Sequence, residues 1–174
     1  VVYFAENEQV IGLVALMDVP NEEAMNAIHY FKSQNIETTM ITGDAKLTGE
    51  AVGRLVGVDQ VFANVLPEEK SAIVDQLKRE VGMTGMVGDG INDAPALVNA
   101  DIGVAMGDGT DIAIDVADVV VMKNDLSKLG YAHRVSKRLN KIVQQNIIFS
   151  MLVVATLIIL NFLGIANIAF SVLI

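Results

Sequence analysis

The stretch Met86–Leu97, MVGDGINDAPAL, sets two aspartates and an asparagine among glycines, between an apolar lead-in and a helix start. Glycine lets a backbone turn and approach a ligand closely where a Cβ would obstruct it. Asp89 and Asp93 offer hard carboxylate oxygens of the kind Mg²⁺ prefers. Asn92 and Asp93 stand where they can cap the following helix, whose first N–H groups favour anions. The same residue types also make ordinary tight turns. Alone, the stretch reads either as a Mg²⁺ and phosphate site or as a strand, a turn and a capped helix.

Two further stretches favour chemistry. Met40–Asp44 reads MITGD, and Pro67–Lys70 reads PEEK just after the run Gln60–Leu66. If each apolar run is a parallel strand, then Thr42, Asp44, Lys70, Asp89 and Asp93 all lie just past strand ends, at the edge of an open α/β sheet where ligands bind. A hydroxyl donor, a cation and two carboxylates suit phosphoryl transfer, which depends on positioning and on neutralising charge over the transferred oxygens.

In this order, TGD (Thr42–Asp44), Lys70 and GDGIND (Gly88–Asp93) resemble the second half of the phosphorylation domain of P-type ATPases, membrane pumps of the haloacid dehalogenase superfamily. The continuation ADIGVAMGDGTDIAIDVADVVVM (Ala100–Met122), followed by NDLSKL (Asn124–Leu129), resembles their heavy-metal class in particular, and the likeness runs from about Val10 to about Leu163. It implies an α/β fold, a Rossmann-like (haloacid dehalogenase-like) parallel sheet with flanking helices, followed by a transmembrane helix. It also implies ATP-driven metal efflux, in which an aspartate elsewhere in the polypeptide attacks the γ-phosphate of ATP to form an aspartyl-phosphate. In that scheme Thr42 bonds the phosphoryl group, with Gly43, Asp44 and Lys70 completing the phosphate contact. Asp44 orders the site, and Lys70 neutralises phosphoryl charge. Asp89, with Asp93, binds Mg²⁺, while Asn92 and Asp93 fix the loop. ATP itself is expected to sit mainly on a domain outside these residues.

Composition divides the chain. All 21 acidic residues fall at or before Asp125 against seven Lys and Arg, a net charge of −14, whereas from Leu126 onward five bases face no acid. So acidic a domain argues against nucleic acid, which needs a basic surface. With no cysteine, neither a disulfide framework nor a thiolate metal site is available. Val1 is not an initiator methionine and no signal peptide opens the chain, so a fragment of a longer protein is expected.

Val1–Ala5 and Val10–Leu16, separated by Glu6–Gln9, read as a hairpin. Asp18 follows, but Val, Pro and Asn come after it rather than the Lys-Thr-Gly of a P-type nucleophile, so it reads as a turn residue. Pro20 and Asn21 open a helix with Glu22 and Glu23 in its first turn and Ala24, Ala27, Ile28 and Phe31 on its buried face. Strands are expected at Thr38–Thr42, Gln60–Val65, Gly85–Val87, Ile102–Met106 and Val119–Met122. Between them, Leu47, Ala51 and Leu55 mark the stripe of one helix, stopped at Gly57, and Ile73, Leu77 and Val81 that of another. Asp111, Asp115 and Asp118 are spaced as one solvent face of a helix near Asp108, so these acids read as solvated rather than as a metal cluster. The eight methionines read as core filler, and His29 and His133 have no ligand partner at metal spacing.

The boundaries that follow are a phosphorylation domain over 1–125, a basic juxtamembrane helix over 126–146, a transmembrane helix over 147–163, and over 164–174 a loop leading into a second apolar segment. Ile147–Leu163 is 17 uncharged residues, roughly 25 Å of helix, close to the ~30 Å hydrocarbon core once flanking residues are added. A buried core helix is the competing reading. Lys128, Arg134, Lys137, Arg138 and Lys141 fit the positive-inside rule, which puts 1–141 in the cytoplasm of a multi-pass protein of the cell membrane.

The departures from the family also matter. The Asp-Lys-Thr-Gly motif, the nucleotide and actuator domains and the intramembrane Cys-Pro or Ser-Pro ligands are not in these residues, so the rest of the polypeptide is a required partner, and Ala45 stands where many relatives carry Asn. Between Asn146 and Leu163 the chain has neither the Tyr-Asn of copper pumps nor the lysine of zinc, cadmium and lead pumps. The transported-ion site is therefore open, with Asn146 a candidate, and the cargo expected is a divalent cation, cobalt, zinc, cadmium or iron ahead of copper. Two other classes remain: a membrane-tethered phosphatase of the same superfamily, and a non-catalytic regulator that binds Mg²⁺ and phosphate.

Overall fold

The computed structural model describes residues 2–6, 9–14, 20–107, 111–123 and 125–164. Val1, Asp18, Asp108 and the expected apolar segment at 165–174 lie outside them. The chain forms two compact units, Val1–Gly130 and Tyr131–Ile174.

In the first unit, β1 (Val2–Glu6) folds back on β2 (Gln9–Val14) as an antiparallel hairpin with a bulge between Phe4 and Ala5. Asn21 caps α1 (Glu22–Ser33), its Oδ1 accepting the Ala24 N–H at 2.7 Å, which satisfies one of the donors a helix start leaves open. β3 (Thr39–Ile41) then pairs parallel with β4 (Gln60–Phe62), and α2 (Lys46–Val56) makes the crossover. After a 3-10 turn at Pro67–Glu69, α3 (Lys70–Val81) leads to a second parallel sheet of order β5-β6-β7 (Gly85–Gly88, Ile102–Met106, Val119–Val121). Its crossovers are α4 (Ala94–Asn99) and α5 (Asp111–Val116). The parallel α/β architecture is the expected one, but its strands hydrogen-bond as two separate pieces.

The apolar stripe expected on α2 is corrected. Leu47 is 83% exposed and Leu55 50%, while Gly49 and Gly53 are buried. A Cβ on Gly53 would come within 2.4 Å of Val61 Cγ2, and one on Gly49 within 3.0 Å of Ala63 Cβ. The helix therefore lies on β4 by its glycines, a close approach that side chains on that face would prevent. Gly57 does end it, at φ +85°, a left-handed conformation that costs glycine little. On α3, Val74 and Leu77 are buried whereas Val81 is exposed.

Opposite the loops that carry the candidate site, the sheets are stapled by a repeated device. Lys32, at the end of α1, gives its ammonium to Gly57 O (2.9 Å) and Asp59 Oδ1 (2.8 Å), and Asp59 Oδ2 accepts the N–H (2.9 Å) and hydroxyl (2.8 Å) of Thr38. Lys78, at the end of α3, repeats this with Asn99 O (2.8 Å) and Asp101 Oδ1 (3.1 Å), and Asp101 Oδ2 accepts the Thr84 N–H at 2.9 Å. Asp118 Oδ2 likewise takes the Gly103 N–H at 2.8 Å. Each aspartate stands one residue before a strand and pins the start of the preceding one. Lys32 and the Thr38 donors together lower the Asp59 pKa to about 2, and the Thr84 N–H and Lys78 lower that of Asp101. Asp118 is thus not on the solvent face of a helix as expected. α5 ends at Val116, so of the three acids Asp111 and Asp115 lie on it, both exposed.

β6 alternates between two packed layers, as a strand with side chains on opposite faces must. Ala105 meets Leu97 and Ala113 from α4 and α5, while Val104 and Met106 meet Val121, Leu126 and Leu129.

The second unit is built on α6 (Ser127–Phe162), a single helix of 36 residues that runs through the expected junction at 146 without interruption. It is long and apolar enough to cross a bilayer, and none of its apolar window is buried against the described residues of this chain. Ser150 Oγ donates to Asn146 O at 2.9 Å and Thr156 Oγ1 to Leu152 O at 2.8 Å. Hydroxyls satisfied on their own helix cost little in hydrocarbon.

Candidate functional site

The loop after β3 is held by its own side chains and by the loop after β4. Thr42 Oγ1 donates to Asp44 Oδ2 at 2.9 Å and accepts the Asp44 N–H at 3.1 Å, an arrangement in which threonine and aspartate shape the turn. The Asn64 N–H reaches Asp44 O at 2.8 Å and the Val65 N–H reaches Thr42 O at 3.1 Å, with Asn64 at φ +55°. Gly43 and Asp44 are exposed and Thr42 half-buried, so the hydroxyl and carboxylate form a coupled pair at the surface. Ala45, the N-cap of α2, supplies no side-chain cap, leaving the first N–H groups of the helix without a side-chain acceptor from it.

Lys70 opens α3. The preceding turn is set by Pro67 and by Glu69, whose Oε2 accepts the Leu66 N–H at 2.8 Å. The Lys70 ammonium lies 2.7 Å from Asp93 Oδ1, both side chains largely buried. Asp93 Oδ2 accepts the Asp89 N–H at 3.3 Å, so one carboxylate ties the lysine to the loop after β5. Gly88 makes this possible. A Cβ there would come within 2.6 Å of Asp93 Cβ, so any larger residue would push the aspartate away. Asp93 is not the side-chain helix cap that the sequence suggests. It sits at the N-terminus of α4 without a capping bond, because both carboxylate oxygens are engaged elsewhere.

Asp89 differs. It is exposed, and among the described residues no donor reaches its carboxylate. Asn92 is also exposed beside it. The structure thus brings Lys70, Asp89 and Asp93 into one cluster and Thr42 with Asp44 into another, both past the C-terminal ends of parallel strands. Asn146 lies in the second unit, exposed on α6.

The donor set fits one Mg²⁺ held by Asp89. This cation keeps several waters and takes one or two carboxylates together with phosphate oxygens. Asp93 is the poorer ligand, since its oxygens serve Lys70 and the Asp89 N–H. Sequence reasoning passed over Gly88 as the residue that admits Asp93, although its place before an aspartate at the end of a strand was the available signal.

Residues 1–101 match the haloacid dehalogenase-like hydrolase family. The chain is 43% identical over 173 residues to the zinc-transporting ATPase of Bacillus subtilis (strain 168), covering 99% of this chain and 27% of that protein. It is 42% identical over 154 residues to the probable copper-importing P-type ATPase A of Enterococcus hirae, covering 87% of this chain and 21% of that protein. Its fold superposes on a crystal structure of a zinc-transporting PIB-type ATPase in the E2.Pi state with a TM-score of 0.88 at 32% identity, covering 98% of this chain and 28% of that one. The chain thus spans about a quarter of the length of these relatives.

Proposed function

Because the chain belongs to the haloacid dehalogenase-like hydrolase family, we propose that it supplies the Mg²⁺- and phosphate-binding half of the phosphorylation site, and a following membrane helix, of a P-type ATPase that exports a divalent heavy-metal cation. The observation that carries this reading is the contrast between Asp93, spent on Lys70 at 2.7 Å, and Asp89, whose carboxylate is open. A site that keeps one carboxylate free beside a fixed ammonium is prepared for a metal and an anion together.

Each residue has a distinct role. Asp89 holds Mg²⁺, which when bound draws charge from the transferred oxygens. Lys70 offers its ammonium to the phosphoryl group, with Asp93 holding it in place and Asn92 supporting the loop. Thr42 turns its hydroxyl from Asp44 to a phosphoryl oxygen, and Gly43 leaves the backbone open to that approach. The nucleophilic aspartate, which forms the aspartyl-phosphate, comes from the rest of the polypeptide, as do most contacts to ATP and the membrane metal ligands.

For the cargo, the alignment with the zinc-transporting relative covers 99% of this chain, against 87% for the copper-importing one. With no Tyr-Asn pair between Asn146 and Leu163, this favours cobalt, zinc, cadmium or iron over copper. The basic residues before the apolar run support a location in the cell membrane with residues 1–141 in the cytoplasm.

Metal-stimulated ATP hydrolysis by the full-length parent in lipid, screened with Co²⁺, Zn²⁺, Fe²⁺, Cd²⁺ and Cu⁺ alongside an acid-stable phosphoenzyme assay, tests the proposal. Stimulation by one divalent ion with a phosphoenzyme that turns over is the expected result. Hydrolysis indifferent to every metal but Mg²⁺ would overturn it in favour of a tethered phosphatase or of a pump for a different cargo.

A further inference from the structure

The two halves of the phosphate site stand on two separately hydrogen-bonded sheets. Thr42 follows β3 of the smaller one, and Lys70 is tied to Asp93 beyond β5 of the larger. The segment that joins them in sequence, residues 64–70, is held at both ends. At its start the Asn64 N–H donates to Asp44 O at 2.8 Å and the Val65 N–H to Thr42 O at 3.1 Å, while the Thr42 N–H donates to Phe62 O at 2.9 Å. At its end Glu69 Oε2 accepts the Leu66 N–H at 2.8 Å, Leu66 O accepts the Glu69 N–H at 3.0 Å, and Pro67 restricts the turn into α3. Val65, between the two, is buried.

Asn64 is the point at which this strap bends. Its φ of +55° is left-handed, a conformation asparagine tolerates and a β-branched residue does not. There the two successive N–H groups converge on the Thr42–Asp44 turn, whereas an extended residue would aim them to opposite sides. The Thr42 methyl is confined from the other direction, since a Cβ on Gly49 of α2 would come within 3.1 Å of it. The backbone of residue 64 therefore decides where the Thr42 hydroxyl stands relative to the strap that ends in Lys70.

We propose that Asn64 is a positioning residue for phosphoryl transfer, its left-handed backbone aligning the Thr42 hydroxyl with the Lys70 ammonium across the two sheets. This rests on the reading of Thr42 and Lys70 as phosphate ligands.

The test uses the full-length parent in lipid. It follows the rate of acid-stable phosphoenzyme formation from ATP, and inhibition of ATP hydrolysis by orthovanadate, a mimic of a phosphoryl group in transfer. Asn64→Val is expected to weaken both by about tenfold, the cost of forcing a β-branched residue into this conformation. Asn64→Gly adopts it without strain and should keep both within about twofold of the wild type. Asn35 shares the conformation, at φ +59°, but precedes β3 whereas Thr42 follows it. Asn35→Val should therefore lower the melting temperature as Asn64→Val does and leave both readouts unchanged. In a Thr42→Ala background, Asn64→Val should add less than about twofold, because the group it positions is already gone. Should Asn64→Val fail to fold, Asn64→Ala carries the same comparisons. A lower melting temperature with wild-type readouts, equal losses in Asn35→Val, or a full further loss in the Thr42→Ala background would overturn the positioning role. Absence of phosphoenzyme in the wild type would instead overturn the reading of the site itself.

Discussion

The Lys70 ammonium sits 2.7 Å from Asp93 Oδ1, with the lysine side chain 20% exposed and the aspartate 10%. The second oxygen of Asp93 holds the Asp89 N–H, so one buried carboxylate joins the Lys70 cation to the loop that carries Asp89. Breaking such a pair from one side leaves a desolvated charge without a partner.

Asp93→Asn is therefore expected to cost about 2–3 kcal/mol in stability and to lower phosphoenzyme formation by loosening Lys70. The double variant Lys70→Met, Asp93→Asn should be less destabilised than the sum of its parts. Chemical denaturation of the full-length parent and its three variants reads the coupling, and strict additivity would remove the positioning role of Asp93.

Asp89→Asn should behave in the opposite way. Its carboxylate is open, so the stability change should stay within about 0.5 kcal/mol, while Mg²⁺-dependent phosphorylation is lost. Normal phosphoenzyme in this variant would show that the metal is held elsewhere.

Substitution of Gly53 tests the glycine face of α2. Alanine gains up to about 1 kcal/mol of helix propensity, but its Cβ would lie 2.4 Å from Val61 Cγ2, on a β-branched side chain with few alternative rotamers. Overpacking of this kind typically costs about 1–3 kcal/mol, so Gly53→Ala is expected to lower the melting temperature. Leu55→Ala, on the exposed face, should change it little.

Acid should loosen the staples before the core. Asp59 has a folded pKa of about 2, below its ordinary value of 3.8, chiefly because Lys32 and Thr38 bond its carboxylate. A depressed carboxylate contributes stability that is fully present above its unfolded pKa and is lost as pH falls through the folded one. For Asp59 the loss lies between about pH 4 and about pH 2, and Asp101 adds to it in the same direction. Thermal melts across this range should fall less steeply for Asp59→Asn than for the wild type, and equal slopes would count against the staple.

The acids of the α5 region should separate. Asp115→Asn, exposed on α5, should alter stability by less than about 0.5 kcal/mol. Asp118→Ala removes the acceptor of the Gly103 N–H and should cost about 1–2 kcal/mol. Melting temperatures of the two variants decide this.

Much of this protein was legible along the chain because the signals are local. Hydrophobic runs bounded by Gly, Pro, Asn and Asp marked the strands and their loops, and MVGDGINDAPAL, ambiguous alone, pointed to a metal-and-phosphate loop only together with the TGD stretch and Lys70. The charge boundary at Asp125 and the uncharged run Ile147–Leu163 marked a helix long and apolar enough to cross a membrane, because a bilayer tests composition and length before packing. Asn21 at the start of α1 and Gly57 at the end of α2 were equally readable, since helix caps act within one turn.

The tertiary structure decided which of the polar groups are spent on one another. Nothing in sequence spacing separates Asp93 from Asp89 as a metal ligand. The distinction arises because Lys70, 23 residues away, claims one and leaves the other open. The glycine face of α2 depends on how closely β4 approaches, and the staples from Asp59, Asp101 and Asp118 depend on which strand start lies beneath each aspartate. Local chemistry thus fixed the elements and the kind of site, while the pairing of buried charges, set by energies that exist only once distant segments desolvate each other, fixed what each residue is free to do.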